Sequence, residues 1–209
     1  MAKRKTSTKK TETKLGLDLM NLSFEQARER LIDLLKNKSL FNRDHVLPSG
    51  QIASQYLDLK QSLLGAEGAF LASLCALHNL KDDVQFIGGL EPKVYSLAVA
   101  VSQLAFLRGQ QIDTFYLRDC AKARTRGISR WIDGPLKPMS KVCLIQDEVV
   151  DGVKVIELVR TLQEEADAEI VQVIGIVDRL DGAKNRLADY GVDYTSILTM
   201  NDVMDPVTA

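Results

Sequence analysis

Residues 141–183 read KVCLIQDEVVDGVKVIELVRTLQEEADAEIVQVIGIVDRLDGA, and this stretch decides the fold class. Lys141 to Ile145 is apolar and strand-like, residues of about 153–165 carry helical spacing, and Ile170 to Val177 is again apolar and rich in β-branched side chains. A strand, a helix and a second strand in this order make a βαβ unit, whose two strands lie parallel. Parallel strands are covered on both faces, which suits runs that are apolar throughout rather than alternating.

The same alternation extends in both directions. Upstream, Val84–Ile87 is a short strand candidate running into Gly88 and Gly89, residues 93–107 form an almost wholly apolar and therefore buried helix, and Ile112–Leu117 is a strand. Downstream, a helix over about 182–189 precedes a strand at Tyr194–Leu198. Such alternation predicts an α/β domain with a mostly parallel sheet, and ligands on such sheets bind at the carboxyl ends of the strands. Nearer the start, Ser23 and Gln26 have capping-box spacing before a stripe of Ala27, Leu31, Leu34 and Leu35. Pro48, Ser49 and Gly50 mark a turn over 44–50, an extended stretch runs from Ile52 to Leu59, and a helix over about 66–79 carries Phe70, Leu71, Leu74, Cys75 and Leu77.

At 209 residues, 45% hydrophobic and 26% charged, the chain is long enough for one well-buried domain. No apolar run reaches the roughly 20 residues of a membrane span. No secretory apolar segment opens the chain, so a cytoplasmic location is expected. Cys75, Cys120 and Cys143 lack metal-ligand or CxxC spacing, and His45 and His78 stand apart. The net charge of −1 hides an asymmetry: Lys3, Arg4, Lys5, Lys9, Lys10 and Lys14 face only Glu12 within residues 1–14. With no large apolar residue after Met1 in that segment, residues 1–20 are expected to be a disordered basic tail. Residues 21–209 are expected to form a single domain.

Residues 118–140 show neither strand nor helix spacing, and they carry Arg118, Lys122, Arg124, Arg126 and Arg130 against Asp119 and Asp133. A connection this long is usually functional, and a cationic one suits a polyanionic ligand. A solvated loop that merely happens to be basic is the plainer alternative.

Five motifs in order give a family resemblance over residues 40–203. Leu47-Pro48-Ser49-Gly50 with Tyr56-Leu57-Asp58-Leu59-Lys60, Phe86-Ile87-Gly88-Gly89-Leu90, and Arg118-Asp119-Cys120-Ala121-Lys122 ending near Gly127 are the first three. Leu144-Ile145-Gln146-Asp147-Glu148-Val149-Val150-Asp151-Gly152 and Val177-Asp178-Arg179-Leu180-Asp181-Gly182-Ala183 complete the set. The order resembles the orotate phosphoribosyltransferase family. The resemblance implies the type I phosphoribosyltransferase fold, a mostly parallel sheet flanked by helices, with a small N-terminal hood over residues 21–64 and a core over 65–209. It implies 5-phosphoribosyl 1-pyrophosphate (PRPP), orotate or a related phosphorylated metabolite as ligands, Mg²⁺ as cofactor of an active enzyme, and a homodimer.

Carried over by resemblance, Arg118 and Lys122 are catalytic cations for the pyrophosphate, and Asp147 is the retained acid of the PRPP loop. Arg179 matches the arginine that holds the orotate carboxylate. Gly88 and Gly89 match the pyrophosphate turn, with Arg124, Asp151 and Gly152 as further substrate-binding positions. The chain departs from the motif where Gln146 replaces an acid, Val150 and Asp151 replace two threonines, and Asp119 replaces a lysine. An aspartate beside a phosphate dianion repels it. As a helix N-cap, however, Asp151 would satisfy backbone donors itself and occupy the phosphate position. Asp147, Glu148 and Asp151 together could hold a divalent cation, against the plainer alternative of a cluster of solvated carboxylates.

Three functions follow. The first is a catalytically impaired homologue that binds or regulates. The second is a working orotate phosphoribosyltransferase that makes orotidine monophosphate and pyrophosphate. The third is a nucleic-acid-associated protein using the basic tail and loop.

Overall fold

The computed structural model describes residues 19–46, 52–90, 92, 94–118 and 131–204, with the side chains of 43–46, 52 and 53 left aside. The basic segment 1–14, the Pro48-Ser49-Gly50 turn and the loop residues Lys122, Arg124, Arg126 and Arg130 lie outside the described residues. Leu19 and Met20 pack partly buried against the core, and the Met20 carbonyl accepts from Arg108 Nη2 at 3.0 Å.

Helix α1 (Phe24–Lys38) starts at the expected capping box: Gln26 N donates to Ser23 Oγ, and Ser23 N donates to Gln26 Oε1. Its buried face is Ala27, Leu31, Leu34 and Leu35, as the spacing indicates. Next come β1 (Leu40–Val46) and β2 (Ile52–Leu57), paired antiparallel as a two-stranded ribbon. The sequence pattern does not announce β1, because Asn42, Arg43, Asp44 and His45 are polar and weak in strand preference. A single helical turn, α2 (Lys60–Leu63), leads into α3 (Ala66–His78).

The main sheet follows: β3 (Phe86–Leu90), α4 (Tyr95–Leu107), β4 (Asp113–Leu117), β5 (Ile132–Asp133), β6 (Lys141–Val149), α5 (Val153–Ala166), β7 (Glu169–Asp178), α6 (Ala183–Asp189), β8 (Tyr194–Thr199) and α7 (Met200–Val203). Strand order is β5-β4-β3-β6-β7-β8, with every pairing parallel except β4 with β5. Helices α1, α3 and α4 share one core with Ile87, Cys143, Ile145, Ile174 and Ile176. Helices α5 and α6 share the other with Phe86, Val142, Leu144 and Val173. The period-two alternation of β6, with Val142 and Leu144 to one side and Cys143 and Ile145 to the other, separates the two cores.

Several features differ from expectation, the first being that residues 44–46, expected in a turn, belong to β1. The strand at 84–87 runs instead from Phe86 to Leu90, so Gly88 and Gly89 lie inside β3, paired with Phe115 and Tyr116, rather than in a turn. The segment 118–140 does contain a strand: Ile132 and Asp133 pair antiparallel with Leu117 and Tyr116. Helix α4 is not buried all round, because Leu97, Ala98, Val101, Leu104 and Ala105 face the core while Tyr95, Phe106 and Leu107 face outward. Apolar composition without periodicity does not reveal which side of a helix is covered. No helix among the described residues is long and apolar enough to cross a membrane.

Candidate functional site

From β3 the chain steps outward to β4, then returns to the other side of β3 as β6 and continues to β7 and β8. The direction of strand addition reverses between β3 and β6. At such a switch point the crossovers lie on opposite faces and a crevice opens at the strand carboxyl ends. The paired register of β3 with β6 runs Phe86↔Val142, Ile87↔Cys143 and Gly88↔Leu144, and β6 continues alone with β7 to Val149.

Glycine is needed here for close approach. A Cβ on Gly89 would lie 2.4 Å from the Ile145 carbonyl oxygen and 2.4 Å from Val94 Cγ2, and a Cβ on Gly88 would lie 2.2 Å from the Phe115 carbonyl oxygen. The same position brings Gln146 Nε2 to 3.2 Å from a Gly89 Cβ. Gln146 is buried, and its Nε2 donates to the Ile145 carbonyl at 2.8 Å. The uncharged amide is thus folded back on the strand.

Asp147 and Glu148, near the end of β6, meet different partners. Asp147 lines a narrow crevice with Lys60, Leu63, Leu64, Ser96 and Leu97, and its Oδ1 accepts from Glu148 N at 2.9 Å. Lys60, the last residue of the motif that begins at Tyr56, is a cation at this site that sequence reasoning assigned no role. Glu148 pairs with Arg179, Oε1 to Nη1 at 2.8 Å. Arg179 N donates to the Val149 carbonyl at 2.9 Å, and Leu180 N donates to the buried Asp178 carboxylate at 2.7 Å. Leu180 adopts φ 66, a conformation that costs a side-chain-bearing residue free energy and is held here by the Leu180 amide bond to Asp178.

Two further pairs line the same rim. Arg118, just past β4, meets the Asp133 carboxylate of β5, and its amide donates to the Trp131 carbonyl at 2.8 Å. Trp131 is therefore part of the loop's anchorage to β4. Asp151, past the end of β6, accepts from Val153 N at 3.1 Å and pairs with Arg186 of α6 at 3.0 Å. The residue at the cap of α5 is Gly152, at φ 82, not Asp151. Asp151 nevertheless performs the capping from one residue earlier, since its side chain takes a helix-start amide.

Arg118, Gly89, Asp147, Asp151, Gly152 and Arg179 thus gather along one edge of the sheet. Arg118 follows β4 and Asp147 lies near the end of β6, the two strands that flank β3. Asp147, Glu148 and Asp151 do not converge. Each faces different neighbours, and among the described residues no group of three or more His, Cys, Asp or Glu is arranged to hold a metal ion. A wider hollow of about 500 Å³ lies at the other end of the sheet, lined by Gln85, Asp113, Lys137 and Ser140. It flanks the amino ends of β3, β4 and β6, away from where ligands of parallel sheets sit.

No family model matches the chain. It is 33% identical over 192 residues to an orotate phosphoribosyltransferase of Rhodopseudomonas palustris, covering 88% of this chain and 100% of that one. The crystal structure of the Mycobacterium tuberculosis orotate phosphoribosyltransferase with Fe(III) dicitrate superposes with a TM-score of 0.76 at 28% identity, over 85% of this chain and 98% of that chain. The structure of that enzyme in complex with 5-phospho-α-D-ribosyl 1-diphosphate gives a TM-score of 0.70 at 25% identity, with the same coverage. The strand order, the switch point and the full-length relationship agree: the fold is that of the type I phosphoribosyltransferases, and the chain belongs to the orotate phosphoribosyltransferase family.

Proposed function

We propose that the protein transfers the phosphoribosyl group of PRPP to orotate, giving orotidine monophosphate and pyrophosphate. The observation that carries this reading is the full-length relationship to a named orotate phosphoribosyltransferase combined with Arg118, Asp147 and Arg179 on one strand-end edge across the switch point. In the reaction, an orotate ring nitrogen forms a bond to the ribose anomeric carbon. The bond from that carbon to the diphosphate oxygen breaks, its electron pair leaves with pyrophosphate, and the proton of the ring nitrogen passes to solvent.

Each step calls for a group that the rim supplies. Positive charge develops on the sugar while negative charge grows on the leaving diphosphate. Arg118, with Lys122 from the adjoining loop, neutralises the diphosphate. Asp147 offers a carboxylate to the ribose hydroxyls and to the cationic sugar. Arg179 offers a planar donor pair to the orotate carboxylate. The start of α5, with Val153 N and the nearby Arg186, suits the 5′-phosphate, because helix amino ends attract anions. Mg²⁺ fits as the diphosphate's counter-ion: a hard cation takes phosphate oxygens and one or two carboxylates, and Asp147 supplies such a ligand.

Alanine substitution at Arg118 and at Lys122 tests the assignment. Each is expected to lower kcat/KM by about 100-fold or more, the scale for removing a donor aimed at developing charge. Unaltered kinetics in both variants would mean that neither cation meets the diphosphate. A homodimer belongs to the same proposal, supported by the exposed apolar Phe106 and Leu107 of α4, and mass measurement in solution decides it.

One observation favours a second reading. The Asp151 carboxylate occupies the α5 amide and holds Arg186, so the chain itself fills the position best suited to a phosphate. In that reading the protein is catalytically impaired and acts by binding or regulation. Absence of turnover together with measurable PRPP binding would favour it.

A further inference from the structure

The pair between Glu148 and Arg179 has a consequence for which base the site accepts. Glu148 stands opposite Val177 in the β6–β7 ladder, and Arg179 is tied by its amide to Val149. Backbone hydrogen bonds therefore set the two side chains side by side at the strand ends. Both are about one-third exposed, at 28% and 33% for Glu148 and Arg179, so the pair is stronger than one in bulk water yet open to exchange with a solute. Of the two carboxylates of β6, Asp147 lies in the crevice with Lys60 and Leu97, and Glu148 is the one that meets Arg179. In this contact the guanidinium donates to a carboxylate oxygen at 2.8 Å.

We infer that Glu148 is a specificity-determining residue: its carboxylate holds Arg179 in the way an acidic pyrimidine would, and so competes with the substrate's own carboxylate. This rests on the reading of orotate as the acceptor. An incoming carboxylate must displace Glu148 or share one cation with it, and either arrangement costs interaction energy. A pyrimidine without a carboxylate meets no such competition. Glu148 thereby narrows the preference for orotate over uracil that Arg179 would otherwise give.

The test is calorimetric titration of the full chain with orotate and with uracil, for the unaltered protein, Glu148→Gln and Glu148→Ala, with folding checked by circular dichroism. Both variants are expected to bind orotate about fivefold more tightly, the scale of one partly exposed charge contact, with uracil unchanged. Unchanged or weaker orotate binding in the folded variants overturns the inference. So does equal tightening of both ligands, which a merely structural role would produce. Turnover separates this result from the proposed function. A chain that makes no orotidine monophosphate, yet gains orotate affinity on Glu148 substitution, keeps the role of Glu148 and loses the transfer reaction. A chain that turns over with an unaltered orotate-to-uracil ratio loses the role of Glu148 alone, and failure of every form to bind orotate removes both.

Discussion

Asp151 and Arg186 close a salt bridge at the mouth of α5, Oδ2 to Nη1 at 3.0 Å, while the other carboxylate oxygen of Asp151 takes the Val153 amide at 3.1 Å. The aspartate thereby does two things that a bound phosphate would do, satisfying a helix-start donor and neutralising a guanidinium.

Separating those two roles is straightforward. Asp151→Ser keeps an amide acceptor but removes the charge, and Asp151→Ala removes both. The alanine variant is expected to lose about 1 kcal/mol of stability, the usual cost of a lost cap, and the serine variant much less. Both should lower the KM for PRPP, by about threefold to tenfold, because a like charge has left the anion position. An unchanged KM in both variants would show that Asp151 does not compete with the phosphate.

The Gly89 contact predicts a different kind of damage. Gly89→Ala would drive a methyl group to 2.4 Å from the Ile145 carbonyl oxygen, and backbone on both sides must shift. Overpacking of this kind costs about 1–3 kcal/mol, and chemical denaturation should show the midpoint falling with the slope preserved. An unaltered midpoint would mean that β3 and β6 do not approach so closely.

Acid should loosen the attachment of α1 to the end of the sheet. Burial tends to raise the pKa of Asp202, but the Thr199 amide at 2.7 Å, the Thr199 hydroxyl and Arg28 at 2.7 Å outweigh it and hold the carboxyl below its ordinary 3.8. A carboxylate with a depressed folded-state pKa stabilises fully above its unfolded value and loses that contribution as pH falls through the folded one. Asp202→Asn should therefore be less stable at neutral pH and should show a smaller fall in stability below about pH 4. Parallel acid curves for the two proteins would rule out this linkage.

Thiol chemistry checks the packing independently. Burial pushes the Cys75 thiol up to about 12, with the Arg28 charge only partly opposing it, and burial raises Cys143 as well. Neither forms a thiolate near neutral pH, and both are enclosed by the core shared with α1, α3 and α4. In a Cys120→Ser background, the native protein should give no rapid reaction with a disulfide reagent at pH 8, and the denatured protein should give two equivalents. Rapid labelling before unfolding would mean that this core opens readily.

Much of the fold was legible because parallel strands and their covering helices leave strong, redundant patterns. The 141–183 stretch yields β6, α5 and β7 within a few residues of their observed ends, and Ser23 with Gln26 marks the start of α1. What stayed hidden depended on partners distant in sequence. The polar β1 exists through its pairing with β2, the two residues of β5 through pairing with β4, and the outer face of α4 is left uncovered by its neighbours. The site divides in the same way. Arg118, Asp147, Asp151 and Arg179 were readable as candidates from motif position, whereas their contacts with or proximity to Asp133, Lys60, Arg186 and Glu148 emerge only when strand ends are set side by side.

The most direct measurement is turnover of orotate with PRPP and Mg²⁺ by the purified full chain, followed by the ultraviolet absorbance of orotate and by identification of the product. Formation of orotidine monophosphate with stoichiometric pyrophosphate, reduced strongly in Arg118→Ala, is the expected result. A folded protein that leaves orotate unconsumed, beside an active orotate phosphoribosyltransferase working in the same buffer, would contradict the transfer reaction proposed for this site.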